Sequence, residues 1–482
     1  MHIDKSEGKN MVSNVIWKVL ERFGVQGVQF IVQLILARIL EPEHYGMLSI
    51  MIIFTTFANV FIQYGFNTSL IQNKDVTDED YSSVFWVSLG IAIIMYFLLF
   101  VSAPLVAAFY GMPDIVNPFR AISLMIIPGA LNSVQTAKVS REMNFKKVFF
   151  SNISGIIVSG AVGIAIACMG GGFWALVAQS LLNVTVACVV MLFTVKWHPQ
   201  FVCNLKRVNE LFLYGWKILS THVISLIYQN LSNMFIGKKY NADILGFYNR
   251  GRQFPMFIIN AIDGTIQSVL LSAMSALQND KKEIKRLMKD SVAVSSYVNF
   301  PIMIGLACVA EPLVSIVLTD KWLPCVPYIQ IFCISLILCP LDTTNSQVIN
   351  SMGRSDIFLK LEIIKKIFST ITLIAAILCF DSPIAVAMAN IINICISCAL
   401  NIYPNKALID YSYLEQFRDI IPYLIMSLIM CVCVNLVSIL ELNAFLLLCA
   451  QVLTGICVYL ILSFLFKPKA FGIIMKKITK TE

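Results

Sequence analysis

Five polar side chains, Lys18, Arg22, Gln26, Gln29 and Gln33, are threaded through an otherwise apolar run that opens at Trp17. A matching set, Lys217, Thr221, Ser225, Tyr228 and Ser232, follows Trp216 at the same spacing. Steps of four, four, three and four residues keep each set on one face of an α-helix. The chemistry such a face offers is recognition. Guanidinium forks match phosphate oxygens, while amides and hydroxyls match the hydroxyls of a sugar. Because polar groups are costly in hydrocarbon, each face must turn toward a wet interior rather than toward lipid.

Further polar faces recur along the chain. Thr56, Asn59, Gln63 and Asn67 share one face of the second apolar run. In the eighth, Asn249, Arg252, Gln253, Asn260, Asp263 and Gln267 fall within roughly a third of a helix circumference. Arg250 lies off that stripe. The charged members are mostly basic (Lys18, Arg22, Lys217, Arg250 and Arg252, against Glu21 and Asp263), which suits an anionic, hydroxyl-rich ligand. Other roles compete at several of them. Lys18 and Lys217 sit near a span end, where a lysine also reaches the headgroups, and Arg22 adjoins Glu21 as an ion-pair partner. Asp263, in mid-span, is a candidate proton or cation site or the partner of a basic residue. The candidate ion-coupling groups are Asp263, Glu21 and Asp342. The last belongs to the patch from Asp342 to Gln347, which also reads as a solvated helix terminus. Glu362, Lys365 and Lys366 have the spacing of an interfacial ion-pair cluster.

These faces need helices long enough to span a bilayer, and the composition supplies them. Of 482 residues, 58% are hydrophobic and 13% charged, with a mean hydropathy of +0.78. Runs of about 20 apolar residues recur along nearly the whole chain, which marks membrane-spanning helices and excludes the short alternating strands of a membrane barrel. The expected fold is all-α, with about 14 spans: 13–38, 46–70, 84–109, 119–138, 148–169, 173–195, 211–236, 250–276, 291–318, 326–350, 357–380, 384–403, 419–438 and 443–466. Roughly two-thirds of the 36 Lys and Arg fall on the side of the N-terminus, so both termini are expected in the cytoplasm of an inner-membrane protein. The net charge of +8 reflects those basic loops and not nucleic-acid binding.

The 199-residue interval between the two tryptophans also relates Gln63-Tyr64-Gly65 to Ile262-Asp263-Gly264, and Gly46 pairs with Gly246 to within one residue. Six spans separate the copies, so the halves are parallel, with a path expected between two six-helix bundles. The expected organisation is a cytoplasmic tail (1–12), a first bundle (13–196), a linker (197–210), a second bundle (211–404), a linker (405–418), two additional spans (419–466) and a basic cytoplasmic tail (467–482). No loop is long enough for a separate domain.

No catalytic constellation is present: no phosphate-binding loop, no H-E-x-x-H and no G-x-S-x-G. The four histidines are dispersed, and the 14 cysteines, Cys395 and Cys398 among them, read as small core residues. No cofactor or metal is expected. Any energy source within the chain is an ion gradient, of protons or sodium, or the substrate gradient.

The run Leu36-Ala37-Arg38-Ile39-Leu40-Glu41-Pro42-Glu43-His44-Tyr45-Gly46 resembles the entry to the second span in bacterial polysaccharide flippases. Gly65-Phe66-Asn67-Thr68-Ser69-Leu70-Ile71-Gln72, Phe85-Trp86, Arg141-Glu142-Met143-Asn144-Phe145-Lys146 and Leu245-Gly246-Phe247-Tyr248-Asn249-Arg250 continue the resemblance through about residue 360. The chain is thereby similar to the colanic/teichuronic-acid exporter branch of the multidrug/oligosaccharidyl-lipid/polysaccharide exporter superfamily. That resemblance implies a flippase for undecaprenyl-pyrophosphate-linked oligosaccharides working by alternating access beside polymerase and glycosyltransferase machinery. It points to Arg22 and Arg252 as cavity residues, and it suggests a groove for the polyprenyl tail at the last two spans. The alternatives are an ion-coupled multidrug exporter of the same fold, which favours cavity carboxylates, and a membrane-embedded polymerase or ligase, which needs a large outer loop.

Overall fold

The computed structural model describes residues 24–63, 66, 69–70, 75–277, 280–440 and 442–478, together with Trp17 and Leu20. Among them the regular structure is entirely helical, and the chain divides into two compact units, Met1–Gly246 and Phe247–Glu482. The first holds α1 (Val25–Ile39), α2 (Pro42–Gln63), α3 (Asp78–Tyr110), α4 (Val116–Ser123), α5 (Ile126–Arg141), α6 (Phe145–Cys168), α7 (Phe173–Thr194) and α8 (Leu205–Lys239). Helix α9 (Ala242–Ala276) begins at its end. The second holds the rest of α9, then α10 (Lys281–Cys308), α11 (Ala310–Val317), α12 (Val326–Leu336), α13 (Cys339–Ser351), α14 (Ser355–Cys379), α15 (Pro383–Ile409), α16 (Tyr413–Val437), α17 (Ala444–Phe466) and α18 (Lys469–Ile478).

Among the described residues ten helical stretches are long and apolar enough to cross a membrane. Every expected run from the second to the fourteenth coincides with a helix or a consecutive pair of helices, and α1 covers the described part of the first. Helices outrun their apolar stretches where a polar residue caps them. Thr77 and Asp80 form a reciprocal capping box at the start of α3, Ser412 and Glu415 do the same for α16, and Asp280 accepts from the Lys282 and Glu283 amides to start α10.

In the first unit, α6 and α7 pack closely because glycines remove the side chains between them. A Cβ on Gly155 would lie 2.6 Å from the Asn183 carbonyl oxygen. A reciprocal contact joins α2 to the first turn of α9. A Cβ on Gly46 would lie 1.8 Å from the Ala242 carbonyl oxygen, and one on Gly246 would lie 2.2 Å from that of Pro42. The residues paired by the sequence repeat are therefore those whose backbones meet.

The stretch between α7 and α8, expected to be a linker, is strapped to the start of α3. The Ser82 and Ser83 hydroxyls accept from the amides of Gln200 and Asn204, the Trp86 indole donates to the Gln200 carbonyl, and Phe201 stacks on Trp86. Arg207 donates to Asp80, Glu210 and the Asp75 carbonyl, while Lys138 pairs with Asp78 at 2.8 Å. The acidic residues at the start of α3 thus have their own cations. Helix α8 packs against α2 and α3 within this unit, although the sequence counts it with the second bundle.

The second unit carries a polar core. Asp342 on α13 accepts from Ser397 and Asn401 of α15, at 2.9 and 2.8 Å. One turn on, the fully buried side chains of Asn345, Asn405 and Gln416 bond to one another and join α13, α15 and α16. The patch from Asp342 to Gln347 is therefore not a solvated helix terminus: the Asp342 carboxylate and the Asn345 amide find partners on neighbouring helices. Glu362 and Lys365 form the expected ion pair on α14. The end of the chain, expected to be a loose basic tail, contains α18, which docks on α10.

Candidate functional site

A cavity of about 480 Å³ lies wholly within the first unit, a size typical of small-molecule sites. Helix α2 presents Thr56, Asn59 and Gln63 to it, three of the four residues expected on that face. Helix α8 presents His222, Ser225 and Gln229 from the other side. Met125, Gly129 and Val184 close the remaining wall, Gly129 leaving room beside the Asn59 amide. The Asn59 Oδ1 atom is buried and, among the described residues, accepts no hydrogen bond. A buried amide oxygen left this way carries a desolvation cost that a hydroxyl-bearing ligand can offset.

The face of α8 that lines the cavity is turned by about a quarter of the helix from the expected stripe, since one residue advances the helix by about 100°. Ser225 belongs to both faces. His222 and Gln229 were not among the candidates. They stand three before and four after Ser225, a spacing as helical as the stripe itself, but the neighbouring Leu226 hid it. Among the described residues no Lys or Arg lines this cavity.

Of the expected basic residues, Lys18 and Arg22 lie outside the described residues, as does Glu21, and Lys217 lies in α8 with its side chain outside the description. Gln26 is exposed on α1 and Gln29 half-buried. On α9 the expected face divides in two. Arg250 is buried, donates to Gln253 Oε1 at 2.6 Å and covers the Trp322 ring at 5.2 Å, so Gln253 is an anchor for Arg250. Arg252 is half-buried and, among the described residues, has no ion-pair or hydrogen-bond partner. Asn260 is exposed. Between them stands Pro255, whose ring removes one backbone hydrogen bond from the helix. Gly251 leaves no room for a side chain: a Cβ there would lie 2.5 Å from that of Tyr328 on α12.

Asp263 has no basic partner among the described residues. Its Oδ2 accepts from Thr343 at 2.8 Å and from the Cys339 thiol at 3.1 Å, both on α13, while Oδ1 is buried and unpartnered. Asp342 has its two donors on α15 and clamps two helices together.

An apolar groove of about 440 Å³ runs between α10, α16 and α17, where the resemblance suggests a tail site. Its sides include Pro301, Ile302, Leu306, Val434, Val452 and Leu460, with Gln451 the one amide among its lining residues.

A chain whose described residues form helices as their regular structure, ten stretches of them able to span a bilayer, with hydrogen-bonding groups gathered inside one unit, is a multi-pass membrane protein of transporter architecture. It belongs to the polysaccharide biosynthesis protein family, whose model matches residues 35–327. The chain is 24% identical over 351 residues to the teichuronic acid biosynthesis protein TuaB of Bacillus subtilis (strain 168), a match spanning 72% of this chain and 73% of that one. It is 26% identical over 336 residues to the succinoglycan biosynthesis transport protein ExoT of Rhizobium meliloti (strain 1021), spanning 70% and 68%. With the lipopolysaccharide biosynthesis protein WzxC of Escherichia coli (strain K12) the identity is 21% over 360 residues, spanning 73% and 72%. In fold it is similar to the lipid II flippase MurJ in an inward closed conformation, with a TM-score of 0.75, 16% identity and coverage of 94% of this chain and 98% of that one. An inward-facing multidrug resistance MATE transporter gives a TM-score of 0.60 at 13% identity, covering 82% and 98%.

Proposed function

We propose that this protein is a flippase that carries undecaprenyl-pyrophosphate-linked oligosaccharide repeat units across the bacterial inner membrane by alternating access, for surface polysaccharide assembly. The observation that carries the reading is the cavity of the first unit. Among the described residues, amide, hydroxyl and imidazole groups converge there without a carboxylate, which suits the hydroxyls of a sugar better than a cationic drug. Arg252, without an ion-pair or hydrogen-bond partner among the described residues, is the group we assign to the pyrophosphate, with Arg22, Lys18 and Lys217 as its expected companions. Gln26, Gln29 and Asn260 complete the hydrogen-bonding surface in this reading. The apolar groove beside α16 and α17 suits the polyprenyl chain. Both termini are cytoplasmic in this reading, and the protein works beside the polymerase and glycosyltransferases of the same glycan.

Asp263 is the carboxylate we assign to proton or sodium coupling, because one of its oxygens meets no donor among the described residues. Asp342 already serves as a clamp between helices. The test is transport of a fluorescent undecaprenyl-pyrophosphate oligosaccharide in proteoliposomes, together with surface-glycan export in cells. Arg252→Ala, and Asn59→Leu with Gln229→Leu, are expected to reduce transport at least tenfold with membrane insertion unchanged. Transport at the parental rate in all of them would overturn the assignment.

A further inference from the structure

Where α10 and α16 begin and α17 ends, a second cavity of about 510 Å³ opens in the second unit. Its lining residues include three cations, Lys289, Arg418 and Lys469, against one carboxylate, Asp419. The rest of its wall is apolar, with Ile421, Ile425 and Phe466 exposed. The cations come from α10, α16 and α18, so no single stretch of sequence marks the site.

Of the three cations, Arg418 is the one without a carboxylate partner among the described residues. Lys469 is paired with Asp290 at 2.6 Å. Lys289 lies 3.7 Å from Glu415 and 3.8 Å from Asp419, beyond hydrogen-bonding distance. Both acids have closer partners, Glu415 in Lys285 at 3.1 Å and Asp419 in the Tyr411 hydroxyl at 2.7 Å. Arg418 is exposed and has no ion-pair or hydrogen-bond partner among the described residues.

Helix α18 fixes the depth of this pocket. The chain leaves α17 through Lys467 in the left-handed conformation, turns at Pro468 and lays α18 against the bundle. Ala470 is buried with its amide donating to the Tyr423 hydroxyl, Phe471 meets Phe464 at 5.0 Å, and Lys476 is exposed. A short amphipathic helix that follows a membrane span in this way lies along the bilayer surface. The cations beside it are therefore at headgroup level.

We propose that this pocket binds the phosphate headgroup of an anionic glycerophospholipid, with Arg418 as the fork and Lys289 and Lys469 as flanking charges. The acyl chains lie along Ile421, Ile425 and Phe466. Basic pockets between membrane helices at the cytoplasmic face select such headgroups. In the orientation proposed above this is the cytoplasmic leaflet, and the site itself does not depend on the cargo. A lipid held here joins α18 to α10 and α16.

The test is native mass spectrometry of the full-length protein released from detergent containing phosphatidylglycerol or phosphatidylcholine. The parent is expected to retain phosphatidylglycerol at least tenfold more strongly than phosphatidylcholine. Arg418→Ala with Lys469→Ala is expected to lose that preference, and Arg418→Lys with Lys469→Arg to keep it. Elution as a monodisperse species confirms that each variant is folded. Equal retention of the two lipids by the parent, or an unchanged preference in the alanine variant, overturns the proposal. So does displacement of phosphatidylglycerol by substoichiometric undecaprenyl pyrophosphate, which would make the pocket a cargo site. Because binding is read without transport, failure here leaves the flippase reading untouched.

Discussion

The contact between α2 and the start of α9 sets a sharp expectation. A Cβ on Gly46 would lie 1.8 Å from a backbone carbonyl oxygen, and the obstacle is main chain, so no rotamer change relieves it. Ordinary van der Waals separation is about 3.4 Å or more, so Gly46→Ala must part the two backbones by about 1.6 Å. Overpacking a tight interior costs about 1–3 kcal/mol, and the need to move helices rather than side chains places this substitution at about 3 kcal/mol. Gly246→Ala, with a shortfall of about 1.2 Å, is expected to cost somewhat less. Since one separation of α2 from α9 relieves both clashes, the double variant should cost little more than Gly46→Ala alone. Gly90→Ala is the control, because nothing lies within 4 Å of its Cβ position. It should change stability by no more than about 1 kcal/mol, in the stabilising direction. Equilibrium unfolding of purified protein in mixed micelles gives the comparison. If Gly46→Ala were as stable as Gly90→Ala, or if the double variant cost the sum of its parts, the packing argument would fail.

Three further outcomes follow from the same geometry. Arg207→Ala strips Asp80, whose side chain is only 7% exposed, of its charged partner and frees the strap before α8; a loss of stability is expected in the same unfolding assay, and parental stability would count against the strap. The two-pronged bond from Arg354 holds the Asp356 carboxyl at about 2, below the ordinary value of roughly 3.9. Its contribution is complete above the unfolded value and is lost as pH falls through about 2; in Arg354→Gln, carbon-detected titration should find Asp356 returned to the ordinary range, and an unshifted titration would rule out the pair. The Cys308 and Cys431 sulfurs lie 3.0 Å apart between α10 and α16, so copper-phenanthroline should join them in a disulfide that peptide mapping detects; recovery of both as free thiols would contradict that packing.

The fold was largely legible because hydrocarbon imposes long apolar runs, and the repeat marked α8 and α9 as a matched pair with α1 and α2. Helix ends were less so. Thr77, Asp280 and Ser412 extend helices past their apolar cores, and capping is written in polar residues that a hydrophobic reading assigns to loops. Helix α18 was hidden for the same reason: ten residues in a stretch with five lysines resemble a tail until a neighbouring bundle offers a surface. The candidate site was legible on α2, where the polar residues stand alone among apolar ones. On α8, polar residues ring much of the helix, so spacing alone did not say which face turns inward. Gln253 was ambiguous because a polar residue on a stripe serves equally well as a ligand contact or as an anchor for Arg250 three positions away.

Helix α9 is held in the second unit at two levels. Gly251 wedges it against α12, and Asp263 ties it to α13 three turns later. Pro255 interrupts the ladder between those moorings, and Arg252 and Asn260 sit on the same tethered length. A rod fixed at both ends and notched in the middle answers load by bowing. Bending of α9 is therefore easiest at Pro255, between the two contacts that hold it.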